Sequence, residues 1–515
     1  MTTPERSLGP PALAGPATRV TAPAVAPVRP LSDETLVLHG EYLTVPTYDR
    51  AALTPAVVHL SVGGFHRSHQ LTYFDDLAQL GISTGWGVVG VGLRHRSMHE
   101  ALAPQDHLYT VVERSPDGER ARVVGVMIDY HFAPDDPDAV LDRLTDPRTR
   151  MVTMTITTAG YPLDPHTGEF DDSAPDLHSD LADPTRPCTT FGYLVEALDR
   201  RRRAGTAPFT VVSCDNMHRN GDATRAAVVG LARRRDEVLA RWITDRVGFP
   251  SSMVDRITPQ TTDAERAAVA SRYGVEDRWP VITEPFSQWF IEDDFRDGRP
   301  PLDRVGVRFV PDVAPYELMK TRLLNASHSA LGYLGTLAGY ARIDDLMGDD
   351  VFAAYAARLM DAEVTPLLPR PEGVDLDEYK AVLLQRFANP AIGDRLHRLC
   401  RRGSTKMAHH LLPSVRESLA RGVRPPLLTL AVAGWIRWLQ LHDAVEDDRG
   451  EELRALARAG GADPRPLLAV RPVFGDLGDD AAFVADLAAA LRGLVRDGVR
   501  PTVAAAVRRS RAGHR

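Results

Sequence analysis

The feature that most limits how this chain can fold is a short apolar run, AVVHLSV (56–62), that ends in Gly63 and Gly64 and passes at once into helical periodicity, FHRSHQLTYFDDLAQL. A strand, a glycine turn and a helix form the first half of a nucleotide-binding βαβ unit. The second strand is WGVVGVGL (86–93), at the separation a crossover helix requires. LYTVVER from Leu108, RVVGVMI from Arg122, RMVTMTIT from Arg150 and FTVVSCDN from Phe209 read as further strands, with DAVLDRLT from Asp138 and FGYLVEALDRRRRAG from Phe191 as helices between them. Such alternation predicts an α/β domain on a mostly parallel sheet. After the runs WPVITEPFSQWFIEDDF (279–295) and RVGVRFV from Arg304 the character changes. From Tyr316 onward Ala, Leu and Arg dominate with 3.6-residue periodicity, as in SALGYLGTLAGYA and FVADLAAALRGLV. The expected architecture is an α/β Rossmann-type N-terminal domain (35–312) plus a mainly α-helical C-terminal domain (313–515). Residues 1–34, rich in Ala, Pro, Gly and Thr, are expected to form a flexible tail, because proline repeatedly removes the donor that a helix or inner strand needs.

Composition narrows the function. A chain of 515 residues, 43% hydrophobic and 25% charged, is a globular protein of two domains or three. Its net charge of -8 gives no global attraction to phosphate backbones, so nucleic acid is not an expected partner. The arginine clusters 200–203 and 233–235 sit beside helical patterns and read as solvated faces. Cys188, Cys214 and Cys400 are odd in number and widely spaced, which suggests neither a disulfide framework nor a cysteine zinc site and fits a reducing cytoplasm. No apolar run approaches the roughly 20 residues a bilayer span needs, and no secretory signal is expected.

The chemistry-bearing residues fall in four places. The turn SVGGFHRSHQ stands where a Rossmann fold places its phosphate loop, with Val62, Gly63, Gly64 and Phe65 forming a degenerate fingerprint rather than GxGxxG. His66, Arg67 and His69 follow it as candidates to meet phosphates or to cap the helix. The second strand runs into Arg94, His95, Arg96 and Ser97, where an NAD enzyme places an acidic residue. Basic and hydroxyl groups there accommodate a 2'-phosphate and lean towards NADP(H); the alternative has them facing solvent while Glu100 or a neighbour serves. Asp215, Asn216, Asp255 and Arg256 stand at strand ends, as ligand groups or as simple turn formers.

The fourth place is YELMKTRLLNASH (316–328). Lys320, Lys380 and Lys406 are the only lysines, although Lys and Arg total 61. An ammonium gives up its proton when partly buried and a guanidinium does not, so Lys320 is a candidate for proton transfer. On a regular helix Asn325 and His328 lie about 140° and about 80° round from it, so all three can look into one cleft. A solvated Lys, a capping Asn and a core His are the alternative.

Taken together, VGGFHRSHQ, SCDNMHRNG, MVDRITP, TEPFSQWFIED, YELMKTRLLNASH and RFANPAIGDRLHRLCRRGSTK resemble the motifs of the polyol-specific long-chain dehydrogenases and reductases over residues 35–510. The resemblance implies a Rossmann domain and a helical domain with substrate between them, NAD(P) as hydride carrier and no catalytic metal. It implies Lys320 as general base, Asn325 and Asn216 polarising the reacting oxygen, His328 binding substrate, and Asp255, Arg398 and Lys406 lining the substrate site. Members usually carry Gly where Ser61 stands and often Glu where Thr158 stands, and NAD-preferring members have acidic residues in place of Arg96 and Ser97. The implied reaction interconverts a sugar alcohol and a ketose, D-mannitol and D-fructose first. Burial and neighbouring cations would favour the neutral Lys320 amine, and Glu317 either passes the proton to solvent or pairs with Arg322. Arg398 and Lys406 also suit a sugar-acid carboxylate, so a hexuronate reductase is the alternative, followed by a sugar- or nucleotide-binding protein without turnover. Small-molecule partners and no membrane contact are the accompanying expectation, with the oligomeric state left open and a monomer compatible.

Overall fold

A computed structural model describes residues 27–164 and 167–512. The chain forms two compact units that divide between Ala314 and Pro315. Of the expected tail, residues 1–26 lie outside the described residues. Within residues 27–34, Arg29–Pro30 pair in parallel with Val275–Glu276, and Leu31 is buried beside Leu108 and Val275. A single apolar anchor among prolines gave no periodic pattern to read.

The first unit is built on five parallel strands: β1 Pro55–Leu60, β2 Gly87–Gly92, β3 Met127–Phe132, β4 Met151–Met154 and β5 Thr210–Ser213. Their order is β3-β2-β1-β4-β5, the doubly wound arrangement in which the chain reverses its winding between β1 and β4. Neighbouring residues of one strand feed opposite cores. Val57 packs with Leu71, Phe74 and Trp289 on one face, while Val58 packs with Leu194, Val195 and Phe209 on the other. Burial on both faces is why these strands read as continuous apolar runs rather than alternating ones. Helices α1 Gly64–Ser68, α2 Gln70–Gln79, α3 Pro137–Thr145 and α4 Thr190–Ala204 lie between them in the chain, and α5 Asn220–Arg235 follows β5.

Two further three-stranded sheets complete this unit. Strand β6, Ser252–Asp255, pairs antiparallel with Gln288–Glu292. The run from Arg122 contains the break between two strands, Gly118–Val124 and β3. Gly125 leaves the ladder there, its N–H donating to Asp75 Oδ1 at 3.0 Å and its carbonyl accepting from Arg50 Nε at 2.9 Å.

The second unit is helical. Helix α6, Ala314–Lys320, continues through a π-helical turn, Thr321–Asn325, into α7, Ala326–Leu337. Short helices α8 Leu396–Leu399 and α9 Gly403–Lys406 follow, and α9 runs through a second π-turn, Met407–Leu411, into α10, Leu412–Ala420; a further π-turn, Leu359–Val364, lies between these two in the chain. Pro413 lacks the N–H that would bond to His409 in a regular helix, which accounts for the wider turn before it. Helix α11, Pro426–Leu441, is buried on almost every side and packs against α7 and α12, Ala481–Arg496. Gly332 and Gly335 of α7 admit α8 at close range: a Cβ on Gly332 would lie 2.9 Å from Leu399 Cβ, and one on Gly335 2.8 Å from Leu396 Cδ1. That approach brings Arg398 to the helix that carries His328.

One glycine fixes the spacing of the strand ends in the first unit. A Cβ on Gly221, at the start of α5, would meet backbone at Ser251 N (2.5 Å) and Pro250 C (2.7 Å), which cannot yield as a side chain would. Gly221→Ala is expected to lower the free energy of unfolding by about 3 kcal/mol, the upper range for overpacking, in urea titrations; an unchanged midpoint would show that this approach is not tight.

Candidate active site

In an open parallel sheet the carboxyl ends of the strands share one edge, and ligands sit there at the point of reversal. Three non-glycine residues hold positive φ in the loops at that edge: Ser61 (71°) after β1, Thr157 (65°) after β4 and Arg219 (49°) after β5. Such conformations cost of order 1–3 kcal/mol each and concentrate at functional sites. Adjacent loops are tied together, with Thr155 Oγ1 donating to the Ser61 carbonyl at 3.0 Å. Ser61 therefore stands at a position whose backbone suits glycine.

Gly63 is informative for the opposite reason. Its φ of -130° and ψ of -174° are open to any residue, and a Cβ there would meet nothing within 4 Å. Neither conformation nor packing asks for glycine, so the space it leaves suits close approach of a bound group such as a pyrophosphate. Gly64 likewise has only Thr258 Cγ2 near, at 3.7 Å, and Val62 and Phe65 flank the pair. Gly90 and Gly92 of β2 differ: added Cβ atoms would collide with Val62 and Tyr130.

The three side chains offered either to meet phosphates or to cap the helix are buried. His66 is fully buried and stacks on His59 with ring centroids 3.2 Å apart; burial and the nearby His59 hold it well below the ordinary histidine range. Arg67 is fully buried, donates to the Trp279 carbonyl and lies 5.1 Å from the Tyr109 ring centroid. His69 is buried too, its Nε2 2.9 Å from the Gln288 carbonyl. The first turns of α1 and α2 rotate these polar groups into the core, so this loop has its backbone and its glycines to offer a phosphate. Neighbours in sequence could not reveal that rotation.

At the end of β2, Arg94, His95, Arg96 and Ser97 are all exposed. Arg96 pairs with Asp135 and lies over the Phe132 ring at 5.0 Å. Both partners are solvent-exposed, so the pair contributes about 0–1 kcal/mol and an incoming phosphate can replace it. After β5, Asn216 is exposed and Asp215 buried. Asn220 fixes this loop: its Nδ2 donates to the carbonyls of Asp215 (3.0 Å) and Ser252 (2.8 Å), and its Oδ1 accepts from Ser252 N at 2.8 Å. Asp255, the last residue of β6, is buried opposite Gln288. Its neighbour Arg256 serves the fold, binding Glu113 Oε1 at 2.5 Å and the Glu284 carbonyl at 2.8 Å.

In the helical unit Lys320 is 6% exposed and ends α6 where the π-turn begins. The turn is closed by an i→i+5 bond from Ala326 N to the Thr321 carbonyl. Its wider winding reduces the rotation per residue, so Asn325 and His328, both half-buried, come round towards Lys320 further than a regular helix would bring them. The His328 ring centre is 4.6 Å from that of Phe387. The second π-turn packs against the first. It follows Lys406, whose Nζ donates to the Leu399 carbonyl at 3.0 Å, and whose burial and nearby Arg398 bring it down to about 8. Arg398 is half-exposed and held two-pronged by Asp394, with Nε 2.7 Å from Oδ1. Asp394 lies below its ordinary range through the Arg398 bonds and the charges of Arg398 and His328, which outweigh its burial.

His410, in the second π-turn, escaped the sequence reading. Burial, then the charges of Lys406 and Lys320, push it down to about 3, so the imidazole is neutral. Lys320, Lys406 and His410 thus form one basic wall. The chain's other lysine is different: Lys380 bonds Asp361 at 2.5 Å and Asp377 at 2.8 Å. Arg322, offered as partner for Glu317, pairs with Glu417 at 2.5 Å. Among the described residues no group of three His, Cys, Asp or Glu could hold a metal ion, and no helix is long and apolar enough to cross a membrane.

The family model for the mannitol dehydrogenase Rossmann domain matches residues 55–304, and that for the mannitol dehydrogenase C-terminal domain matches residues 312–495. The chain is 45% identical over 474 residues to a mannitol 2-dehydrogenase of Phaeosphaeria nodorum, covering 90% of this chain and 83% of the relative. It is 43% identical over 479 residues to a mannitol 2-dehydrogenase of Aspergillus fumigatus, covering 90% and 95%. Two solved structures are similar in fold, each with a TM-score of 0.85. One is the Pseudomonas fluorescens mannitol 2-dehydrogenase in ternary complex with NAD and D-mannitol, 39% identical over 93% of this chain and 100% of that one. The other is a D-sorbitol dehydrogenase in substrate-free form, 35% identical over 92% and 100%. The chain belongs to the mannitol dehydrogenase family of NAD(P)-dependent polyol dehydrogenases, oxidoreductases that act on CH–OH groups.

Gly63 gives a clean separation of fold from ligand. Gly63→Ala is expected to change stability by no more than about 0.5 kcal/mol while weakening nicotinamide nucleotide binding about tenfold, a loss of roughly 1.4 kcal/mol, as measured by titration calorimetry. Equal affinity in the variant would show that the space beside Gly63 is not used by the cofactor.

Proposed function

We propose that this chain interconverts a sugar alcohol and a ketose, D-mannitol and D-fructose first, by hydride transfer with NADP(H) in preference to NAD(H), with Lys320 as general base. The observation that carries the reading is the buried Lys320 at the head of a π-helical turn, in a basic wall with Lys406 and His410. The other lysine of the chain is neutralised by two carboxylates. The D-mannitol in the ternary complex of the Pseudomonas fluorescens relative supports the polyol class.

When bound, the nicotinamide nucleotide supplies the hydride acceptor for alcohol oxidation and the donor for ketose reduction. Lys320 Nζ takes the hydroxyl proton as the C–H bond breaks, and returns it in the reverse direction. From the helical unit, the Asn325 amide donates to the oxygen as it gains alkoxide character, and His328 binds a neighbouring hydroxyl. Asn216 serves as a donor to a substrate oxygen and Asp255 as an acceptor for a polyol hydroxyl. Lys406 and Arg398 complete the substrate contacts. The turn 62–65 holds the pyrophosphate through backbone N–H groups, and Arg94, Arg96 and Ser97 receive a 2'-phosphate by charge-assisted bonds. Arg398, already met by the Asp394 carboxylate, favours a neutral polyol over a hexuronate, whose carboxylate would have to compete for the same guanidinium. A cytoplasmic location is part of the proposal, supported by three free cysteines.

The test is turnover of D-mannitol, D-arabinitol, D-sorbitol, fructose and fructuronate with NAD(H) and NADP(H), in the wild type and in Lys320→Ala. The wild type is expected to turn over mannitol and fructose, and the variant to lose roughly 10² to 10⁴ in kcat with nucleotide affinity kept. Turnover of fructuronate alone would replace the substrate, and full activity in Lys320→Ala would place the base elsewhere.

A further inference from the structure

Asp215 lies one residue before Asn216 and was read from the sequence as a turn former or a ligand group, yet its carboxylate is turned inward. Oδ1 accepts from the Thr157 N–H at 2.7 Å, and Oδ2 accepts from the Ile156 N–H at 3.2 Å and from the Tyr161 hydroxyl at 2.8 Å. The Tyr161 oxygen in turn meets Ser213 Oγ at 2.6 Å, which leaves Ser213 as the donor of that bond. Asp215 is 6% exposed, and burial raises it above the ordinary carboxylate range. A carboxylate is retained at this depth where several donors satisfy it together.

What those bonds hold is unusual. Thr157 has φ 65° and ψ 158°, a region of backbone space used almost exclusively by glycine. Thr157, Thr158 and Ala159 are exposed at the carboxyl edge, beside the Ser61 turn that Thr155 binds. The Asp215 main chain meanwhile is gripped by Asn220, which also holds Ser252. One residue therefore fastens the loop after β4 through its side chain and the loop after β5 through its backbone. The loop after β4 flanks the point of strand reversal, where a dinucleotide is bound in this fold class, and the loop after β5 is its neighbour on the same edge.

We propose that Asp215 is a positioning residue: its carboxylate holds the 155–161 loop in a glycine-like conformation and sets Asn216 beside it, so that the edge is pre-shaped for the nicotinamide end of the cofactor. This rests on the reading of the chain as a nicotinamide-dependent polyol dehydrogenase. Asp215→Asn keeps the size of the side chain and places an NH2 group against main-chain N–H donors. Tyr161→Phe removes one donor and leaves the carboxylate.

The experiment measures kcat and KM for polyol and nucleotide, and binding of the reduced nucleotide by its fluorescence, in the wild type, Asp215→Asn, Tyr161→Phe and the double variant Asp215→Asn with Thr157→Gly. Asp215→Asn is expected to lose about tenfold to a hundredfold in kcat at saturating substrates, the scale of a misplacement near 1 Å. Tyr161→Phe should lose less, and the double variant should regain part of the loss, because glycine enters the Thr157 conformation unaided. Asp215→Asn or, should it fail to fold, Tyr161→Phe within twofold of the wild type in every parameter would overturn the positioning role. So would an inactive Asp215→Asn that the glycine substitution does not improve. Failure of the wild type itself to bind the reduced nucleotide would instead overturn the functional reading on which the proposal rests.

Discussion

The parallel register of five strands buried on both faces is the constraint on which the rest of the Rossmann unit depends. Parallel pairing of β1 with β2 and β4 sends every carboxyl end to one edge, and the loops there must turn sharply enough to enter a helix or cross the sheet. The chain meets that demand with strained backbone at Ser61, Thr157 and Arg219, and side chains fasten the edge: Thr155 on Ser61, Asp215 on Thr157 and Asn220 on the Asp215 carbonyl. The same bonds that relieve exposed donors at the edge also give it a fixed shape. A surface of that kind is prepared for a ligand before the ligand arrives, which lowers the ordering cost of binding.

The helical unit solves a different problem, that of bringing cationic and amide groups together. Close helix approach at Gly332 and Gly335 brings α8 onto α7, and two π-helical turns that pack on each other follow Lys320 and Lys406. The widened turns alter which side chains share a face. Burial and the nearby Lys406 and Lys320 charges then leave His410 neutral, and burial with the Arg398 charge brings Lys406 to about 8, whereas Asp394 orients Arg398. A neutral imidazole beside partly buried amines is an environment in which proton exchange at an amine near neutral pH is feasible.

Much of the fold was legible because it is written in periodicity. The run before Gly63, the strands from Arg150 and Phe209 and the helix from Phe191 appear where apolar spacing put them, and the helical second half follows from its 3.6-residue pattern. What stayed hidden depended on three-dimensional accidents of local geometry. His66 and Arg67 follow the glycine turn directly, and only the rotation of α1 shows that they enter the core. The strand from Arg122 looked continuous because Gly125 is bridged by side chains from far along the chain. The π-turns left readable traces in Pro366 and Pro413, each two residues after such a turn ends, while the pairing of Arg398 with Asp394 was present as an i, i+4 spacing within DRLHR. His410 carried no motif at all, and its place beside Lys406 emerges only when the turns are packed.

The central claim is that the Lys320 amine itself accepts the substrate proton. The most direct measurement is chemical rescue: the rate of D-mannitol oxidation by Lys320→Ala is followed as methylamine, ethylamine and other small primary amines are added at fixed pH and ionic strength. The account predicts a rate that rises with amine concentration and, among amines of similar size, with amine basicity. A rate that does not respond to any amine, or a variant that oxidises mannitol as fast as the wild type without one, would contradict it.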